Sequence, residues 1–214
     1  MKNRLPFEIL FEDGDLIVID KPAGLLTTHT RLHSRFEREC QATAENMLNN
    51  YVRKGQAKSR KKVWLIHRLD RETSGVMAFA KSEAYATRLR DNWSNVAKKK
   101  YVARVEGRIE PESGRFESEL LEDPKTYKVR SVKSGGKKAI TEWQVLRYGN
   151  GWTDLEVNIL TGRKNQIRVH FSEAGHPIVG DVKYGARKAK RLYLHSDTLA
   201  IKDKGVWSSS NSPI

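Results

Sequence analysis

The sequence predicts an α+β fold: a mixed, largely antiparallel β-sheet with a few short flanking helices. Two observations predict it. Between residues 101 and 159 nearly every stretch carries β patterning, interrupted by Gly, Pro or Asn. Segments with helical spacing are few and short, and no internal repeat or domain-scale linker divides the chain.

Residues 7–12 and 16–21 read as strands joined by Asp13-Gly14-Asp15, a loop with hairpin chemistry. Pro22-Ala23-Gly24 ends the second strand. Residues 27–43, rich in Thr, His, Arg and Glu without periodicity, read as a mobile loop, and 44–54 as a short helix. Residues 63–66 form a short apolar strand, 67–75 a polar turn and 76–81 another strand. Ser82 caps a helix whose Tyr85, Leu89, Trp93 and Val96 fall on one apolar stripe, a pattern that fits core packing better than binding. Strands follow at 101–106, 116–121, 127–132, 138–146 and 152–159; in the last, Leu155, Val157 and Ile159 alternate onto one face. A polar turn at 161–165 opens a helix over 166–174, with Gly175 just past its end. Residues 191–195 and 199–202 read as terminal strands, and 208–214 as a loosely ordered tail. A single domain over residues 1–207 is expected.

Composition narrows the function. The 214 residues include 40 Lys+Arg and 26 Asp+Glu, a net charge of +14, yet 38% are hydrophobic and there are five Trp, seven Tyr and six Phe. Such a chain folds rather than behaving as a basic disordered tail. Its surplus attracts polyanions, nucleic acid above all, although a solvated basic surface is the plainer reading of charge alone. Cys40 is the single cysteine, which excludes an internal disulfide and a Cys-rich zinc site and fits the cytoplasm. No apolar run approaches the length of a membrane span or a signal peptide, so no membrane partner is expected.

The cations cluster at Arg53–Lys62, Lys125–Lys138 and Lys183–Arg191, whereas Glu110, Glu112, Glu117, Glu119 and Glu122 concentrate acid between them. A two-sided charge distribution is expected, with the basic clusters framing a groove for phosphates.

Two polar blocks carry candidate chemistry. In His67-Arg68-Leu69-Asp70-Arg71-Glu72-Thr73-Ser74-Gly75, Asp70 stands between two arginines and stays ionised. That suits an anionic nucleophile or base, while spacing alone favours a turn-capping Asp paired with an arginine. The second block, Thr161-Gly162-Arg163-Lys164-Asn165-Gln166-Ile167-Arg168-Val169-His170, opens a helix where backbone N–H groups and cations can receive a phosphate; the plainer reading is an ordinary cationic loop. His67 and His170 belong to separate blocks, so packing or hydrogen bonding suits them better than a metal pair.

The first block resembles the signature His-Arg-Leu-Asp-x-x-Thr-Ser-Gly of the RluA-type pseudouridine synthases. The likeness extends through Asp20-Lys21-Pro22-Ala23-Gly24, Lys100-Tyr101-Val102-Ala103, the 161–170 block, and Gly175-His176-Pro177-Ile178-Val179-Gly180-Asp181 with Tyr184-Gly185. Five blocks in family order cover most of the chain. The resemblance implies the pseudouridine synthase fold and isomerisation of a uridine in structured rRNA or tRNA by a monomer, with no cofactor and no metal. By it, Asp70 is the essential carboxylate, attacking C1′ or removing a proton at C2′. Arg168 is the cation paired with Asp70, and Tyr101 lies against the target base. Arg68 helps hold the nucleotide out of its stack, and Ile167 packs beneath the base. His67, Thr73, Arg163 and Gln166 complete the expected substrate-binding set.

Asn165 stands where the family usually has His, which leaves the hydrogen bonding of that turn open. Phe7 already begins the region resembling the catalytic domain, with no S4-like RNA-binding domain before it, so the catalytic domain is expected to supply its own RNA contacts. A non-catalytic RNA-binding factor on the same scaffold is the alternative, which an intact Asp70 does not favour. A glycoside hydrolase is weaker, because Glu72 has no support as a second carboxylate.

Overall fold

Asp13 closes the first hairpin as its turn chemistry predicts. Its Oδ1 accepts the N–H groups of Asp15 (2.8 Å) and Leu16 (2.7 Å), pairing β1 (Glu8–Glu12) antiparallel with β2 (Leu16–Lys21). The structure, a computed structural model, describes residues 5–29, 41–54, 56 and 58–214. Cys40 and residues 30–40 of the expected mobile loop lie outside the described residues.

From this hairpin one sheet extends in the order β1-β2-β4-β10-β5-β9-β8-β6-β7. Its strands are β4 (Ser74–Ala80), β5 (Ala97–Glu106), β6 (Ser113–Glu122), β7 (Val129–Val132), β8 (Lys137–Gly149), β9 (Trp152–Ile159) and β10 (Leu194–Ile201). Short strands β3 (Trp64–Leu65) and β11 (Gly205–Ser208) pair with β4 and β10. Every pairing is antiparallel except β4 with β10, so the sheet is mixed and largely antiparallel, as the sequence predicts.

Burial follows coverage. β2 and β4 are buried at every position because both faces are packed. On one face, α1 (Ala44–Arg53) and α4 (Gln166–Glu173) join Ile17, Ile19, Met77, Phe79, Tyr101 and Leu155. On the other, α2 (Glu83–Asp91) sets Tyr85, Ala86 and Leu89 against Leu16, Val18, Val76 and Leu199. β5 is covered more fully on one side and alternates: Ala97, Lys99, Tyr101, Ala103 and Val105 point into the core.

Several boundaries differ from expectation. The stripe of residues 82–96 is broken at Asn92, whose φ of −114° and ψ of 13° are not helical. Trp93–Val96 forms a separate turn, α3, that lays Trp93 on His67 at 4.9 Å between rings, so Trp93 leaves the α2 stripe. β5 starts at Ala97 rather than at residue 101, since the sheet accepts Lys98–Lys100 and buries Lys99. The two expected terminal strands are one, β10, because a register shift between Ser196 and Thr198 absorbs the polar interruption. β7 begins at Val129 because Tyr127, with φ 54°, sits in a left-handed turn. The tail read as loosely ordered contributes Ser208 to β11, and Ser209 and Asn211 donate side-chain hydrogen bonds to Asp20 at 2.6 and 2.7 Å.

The expected acidic side is largely paired off. On β6, Glu117 bridges Arg115 and Lys138, and Glu122 pairs with Lys164. Arg115 is two residues along the same strand, but Lys138 and Lys164 arrive from a neighbouring strand and a loop, a proximity that linear spacing does not display.

Candidate active site

Asp70 lies on the loop between β3 and β4, clamped from two sides. On one side, Thr27 Oγ1 donates to Leu69 O (2.8 Å), Gly24 N–H donates to Arg71 O (2.8 Å), and the Arg71 guanidinium donates back to Gly24 O. Lys21 Nζ, wholly buried, donates to the carbonyls of Pro22, Leu25 and Arg71 at 2.8, 2.8 and 3.3 Å. Burial pulls its pKa down to about 8, while the charges of Asp70 and Glu72 oppose that fall. On the other side, His67 Nε2 accepts the Ala78 N–H at 3.1 Å and the ring stacks on Trp93. Burial, with Lys99 adding repulsion, pushes His67 down to about 3, so the imidazole is neutral and serves to hold the loop. Within the loop, the Thr73 N–H donates to Asp70 O (3.2 Å).

Opposite this loop, α4 presents Arg168 in its first turn. The guanidinium donates through Nε and Nη2 to the two oxygens of Asp181 at 2.6 and 2.7 Å, and through Nη1 to Asp70 Oδ2 at 3.1 Å. Asp181 is closed off at 1% side-chain exposure, whereas Asp70 keeps 23%, so only Asp70 remains open to a substrate. Burial disfavours the charge on Arg168, but Asp181 and Asp70 more than offset it and raise its pKa.

Asn165 resolves the open hydrogen bonding of its turn. It occupies the left-handed region (φ 52°), which Asn tolerates, at the N-cap of α4. Its side chain makes no bond to the helix; Nδ2 donates to Asp70 Oδ2, and Oδ1 accepts from Tyr184 Oη (3.1 Å) and Lys183 Nζ (3.2 Å). The cap residue thus serves the carboxylate instead of its own helix.

Tyr101, on β5 between Val157 and Ser196 in register, is 5% exposed. Burial, joined by the charge of Asp70, pushes its phenol well above the usual range, so it stays protonated. Asp70, Tyr101, Ile167 and Arg168 line one cavity, with Arg68, Thr73, Trp93, Lys99 and residues 162–166 around it. A buried cation and a neutral aromatic thus face an accessible carboxylate. The sequence model of the RNA pseudouridylate synthase family matches residues 15–173 of the chain.

The chain belongs to the RNA pseudouridylate synthase family. An RNA pseudouridine synthase of Bacillus subtilis is 33% identical over 200 residues, covering 92% of this chain and 68% of that protein. The dual-specificity RNA pseudouridine synthase RluA of Escherichia coli (strain K12) is 34% identical over 200 residues, covering 90% and 85%. Human RNA pseudouridylate synthase domain containing 4 matches in structure with a TM-score of 0.71 and 26% identity over 89% of this chain and 82% of that one.

The cavity of this synthase gathers all nine expected site residues, in unequal ways. Arg68 stands exposed at the rim, and Ile167 is buried against the core. Gln166 is consumed by the protein: Oε1 accepts from Thr161 Oγ1 (2.7 Å) and Arg163 N–H (3.0 Å), while Nε2 donates to Ile140 O and Thr141 Oγ1, both at 2.9 Å. It pins the 161–165 turn to β8 and has no free position for a substrate. Arg163 is tied to Lys138 O at 2.9 Å and remains exposed. Reasoning on the residues missed Asp181, Tyr184, Lys21 and Lys99 as site groups. Asp181 and Tyr184 lie in a motif block that carries no chemical signal of its own, and the two lysines look like ordinary surface cations.

Proposed function

We propose that this enzyme isomerises uridine in structured rRNA or tRNA, with Asp70 as the essential carboxylate. The observation that carries the reading is the single accessible carboxylate in the cavity, held by Arg168 and Asn165 with Tyr101 alongside. A carboxylate that accepts from a guanidinium and an amide suits either attack on C1′ or proton removal at C2′. Tyr101 lies against the uracil, Ile167 packs beneath it, and Arg68 at the rim holds the nucleotide out of its stack. His67, Thr73 and Gln166 act as positioning groups, and Arg163 offers a cation to the RNA backbone. We take the enzyme to act as a monomer. One sheet running from β1 to β11 supports reading residues 1–207 as one catalytic domain. Among the described residues no helix is long and apolar enough to cross a membrane, and an RNA substrate fits a cytoplasmic enzyme.

Carbodiimide-based mapping of pseudouridine in total RNA from deletion and parental cells tests the reading. A site should vanish on deletion and return with the parental gene. Asp70→Asn should bind RNA with little change and restore nothing. Turnover by that variant would remove Asp70 from its role.

A further inference from the structure

The cavity has a second polar end, built around Lys99, that the mechanism above leaves unused. Lys99 and Tyr101 are alternate residues of β5 and face the same side of the sheet, about 7 Å apart along the strand. Lys99 is 8% exposed and lines the cavity beside Trp93, Ile66 and Ile159. Its Nζ lies 5.8 Å from the centroid of the Trp93 ring and, among the described residues, has no hydrogen-bond acceptor and no carboxylate partner. Lys21, the other deeply buried ammonium, is satisfied by three carbonyls. Gly162 has an ordinary φ, so the backbone does not require glycine there, but a Cβ would stand 3.5 Å from Lys99 Nζ. The missing side chain keeps that approach to the ammonium clear. The ammonium reaches the cavity, where a ligand would give it the partner that the described residues do not.

We propose that Lys99 donates a hydrogen bond to a carbonyl oxygen of the target uracil and stabilises the negative charge the base carries once its glycosidic bond breaks. This rests on the synthase reading above. Lys99 and Tyr101 share one face of β5 and line the same cavity as Asp70, with the Lys99 ammonium on the Trp93 side. With the sugar at Asp70 and the base along Tyr101, the far edge of the ring reaches Lys99. When the C1′–N1 bond breaks, its electron pair stays with the ring and spreads over N1, O2 and O4. C1′ then either bonds to an Asp70 oxygen, or the sugar gives its C2′ proton to Asp70. Both routes leave the base as an anion until C5 bonds to C1′, as the C1′–Asp70 bond breaks or Asp70 returns the proton to C2′; C5 then loses its proton and N1 takes one up. Lys99 stays protonated throughout, and its hydrogen bond strengthens as charge builds in a site shielded from water. Cytosine carries an amino group where uracil has O4, and would set N–H donors against the ammonium. Backbone phosphate is the other anion RNA offers, but a position deep beside Trp93 favours the base.

Burial alone pulls the Lys99 pKa down to about 8. The other charged or titratable groups lining the cavity are His67, Arg68 and Asp70 from one loop, Arg163 and Lys164 from another, Arg168 from α4, and Tyr101 on the same strand. His67 is held neutral and Tyr101 protonated by burial.

The test is single-turnover pseudouridine formation at saturating RNA, read by tritium release from 5-tritiated uridine, across neutral and alkaline pH. Lys99→Met should lower the rate by about a hundredfold, in line with loss of one donor to a developing anion, with RNA affinity unchanged. The parental rate should decline as pH rises through about 8. Lys99→Met should lack that decline, and Lys99→Arg should keep part of the rate and hold it to higher pH. Lys99→Met should also melt no lower than the parent, because the charge it removes has no hydrogen bond or ion pair among the described residues. A parental rate in Lys99→Met, or a persisting alkaline decline, overturns the proposal. Equal losses of affinity and rate would make Lys99 a phosphate contact and overturn it as well. Should Lys99→Met not fold, Lys99→Arg decides, and an unshifted alkaline decline in it overturns the proposal. These failures leave the synthase reading intact; a parental protein that forms no pseudouridine in any RNA overturns both.

Discussion

Arg168 divides one guanidinium between a buried carboxylate and an accessible one, and this division sets how firmly Asp70 is held. Asp181 takes two of its donors in bidentate geometry and fixes the plane, leaving Nη1 aimed at Asp70. Asp181→Ala strands a buried cation, a change that typically costs about 3–5 kcal/mol. Thermal unfolding should show that loss, and the isomerisation rate should fall as the guanidinium turns away from Asp70. A variant as stable and as fast as the parent would show that Asp70 alone orients Arg168. Asp70, Tyr101 and Arg168 were legible in the sequence through their motif blocks. The Arg168 pairing with Asp181 was not, because the two belong to different blocks and meet only after the chain turns back beyond α4. Asn165 was legible as a departure, but its three partners depend on a left-handed backbone and on the arrival of Tyr184 and Lys183.

The elements around the site are held at close backbone crossings, of which the one at Gly75 ends the Asp70 loop. β4 and β10 form the sheet's parallel pair, and a Cβ at Gly75 would stand 2.1 Å from the Ser196 carbonyl oxygen, with φ at +113°. Gly75→Ala must both push β10 away and strain the backbone, at a cost of at least about 2–3 kcal/mol. The unfolding midpoint should drop accordingly, and activity should drop with it, because Ser74 and Gly75 end the Asp70 loop. An unaltered midpoint would mean that β10 yields freely at this crossing. Hairpins and capped helices were legible at this scale: Asp13 closes its turn and Ser82 Oγ accepts the Tyr85 N–H as expected. The break at Asn92 and the continuity of β10 were not. Trp93 is drawn to the His67 ring, while His195 Nδ1 pairs with Ser74 Oγ and Ser196 Oγ donates to Val76 O inside the sheet.

Across the whole molecule, the surplus of +14 is divided between cations engaged in structure and cations left for RNA. Lys183 and Arg191 of the third cluster are engaged, with Asn165 and Tyr127 for one and Ser74 and Leu192 for the other. In the first cluster, Lys58, Lys61 and Lys62 are exposed, Lys62 stacking over Trp64 at 3.6 Å. Replacing these three with Gln should flatten the salt dependence of RNA binding, by a log–log slope of about 0.7–0.9 for each phosphate no longer neutralised. Binding titrations at several salt concentrations measure that slope, and an unchanged value would make the run solvated surface.

Sequence by itself determined the sheet class, the positions of most strands, the polyanionic partner and the family, because alternation, turn chemistry, charge and contiguous motifs are local and survive in one dimension. Tertiary structure alone decided which groups share the cavity. It buried Lys99 beside Tyr101, spent Gln166 on the fold, enlisted Asn165 and Asp181 around Asp70 and Arg168, and paired the acidic stretch with basic neighbours. Those outcomes depend on distance, exposure and dielectric, and these arise only when segments remote in sequence are packed together.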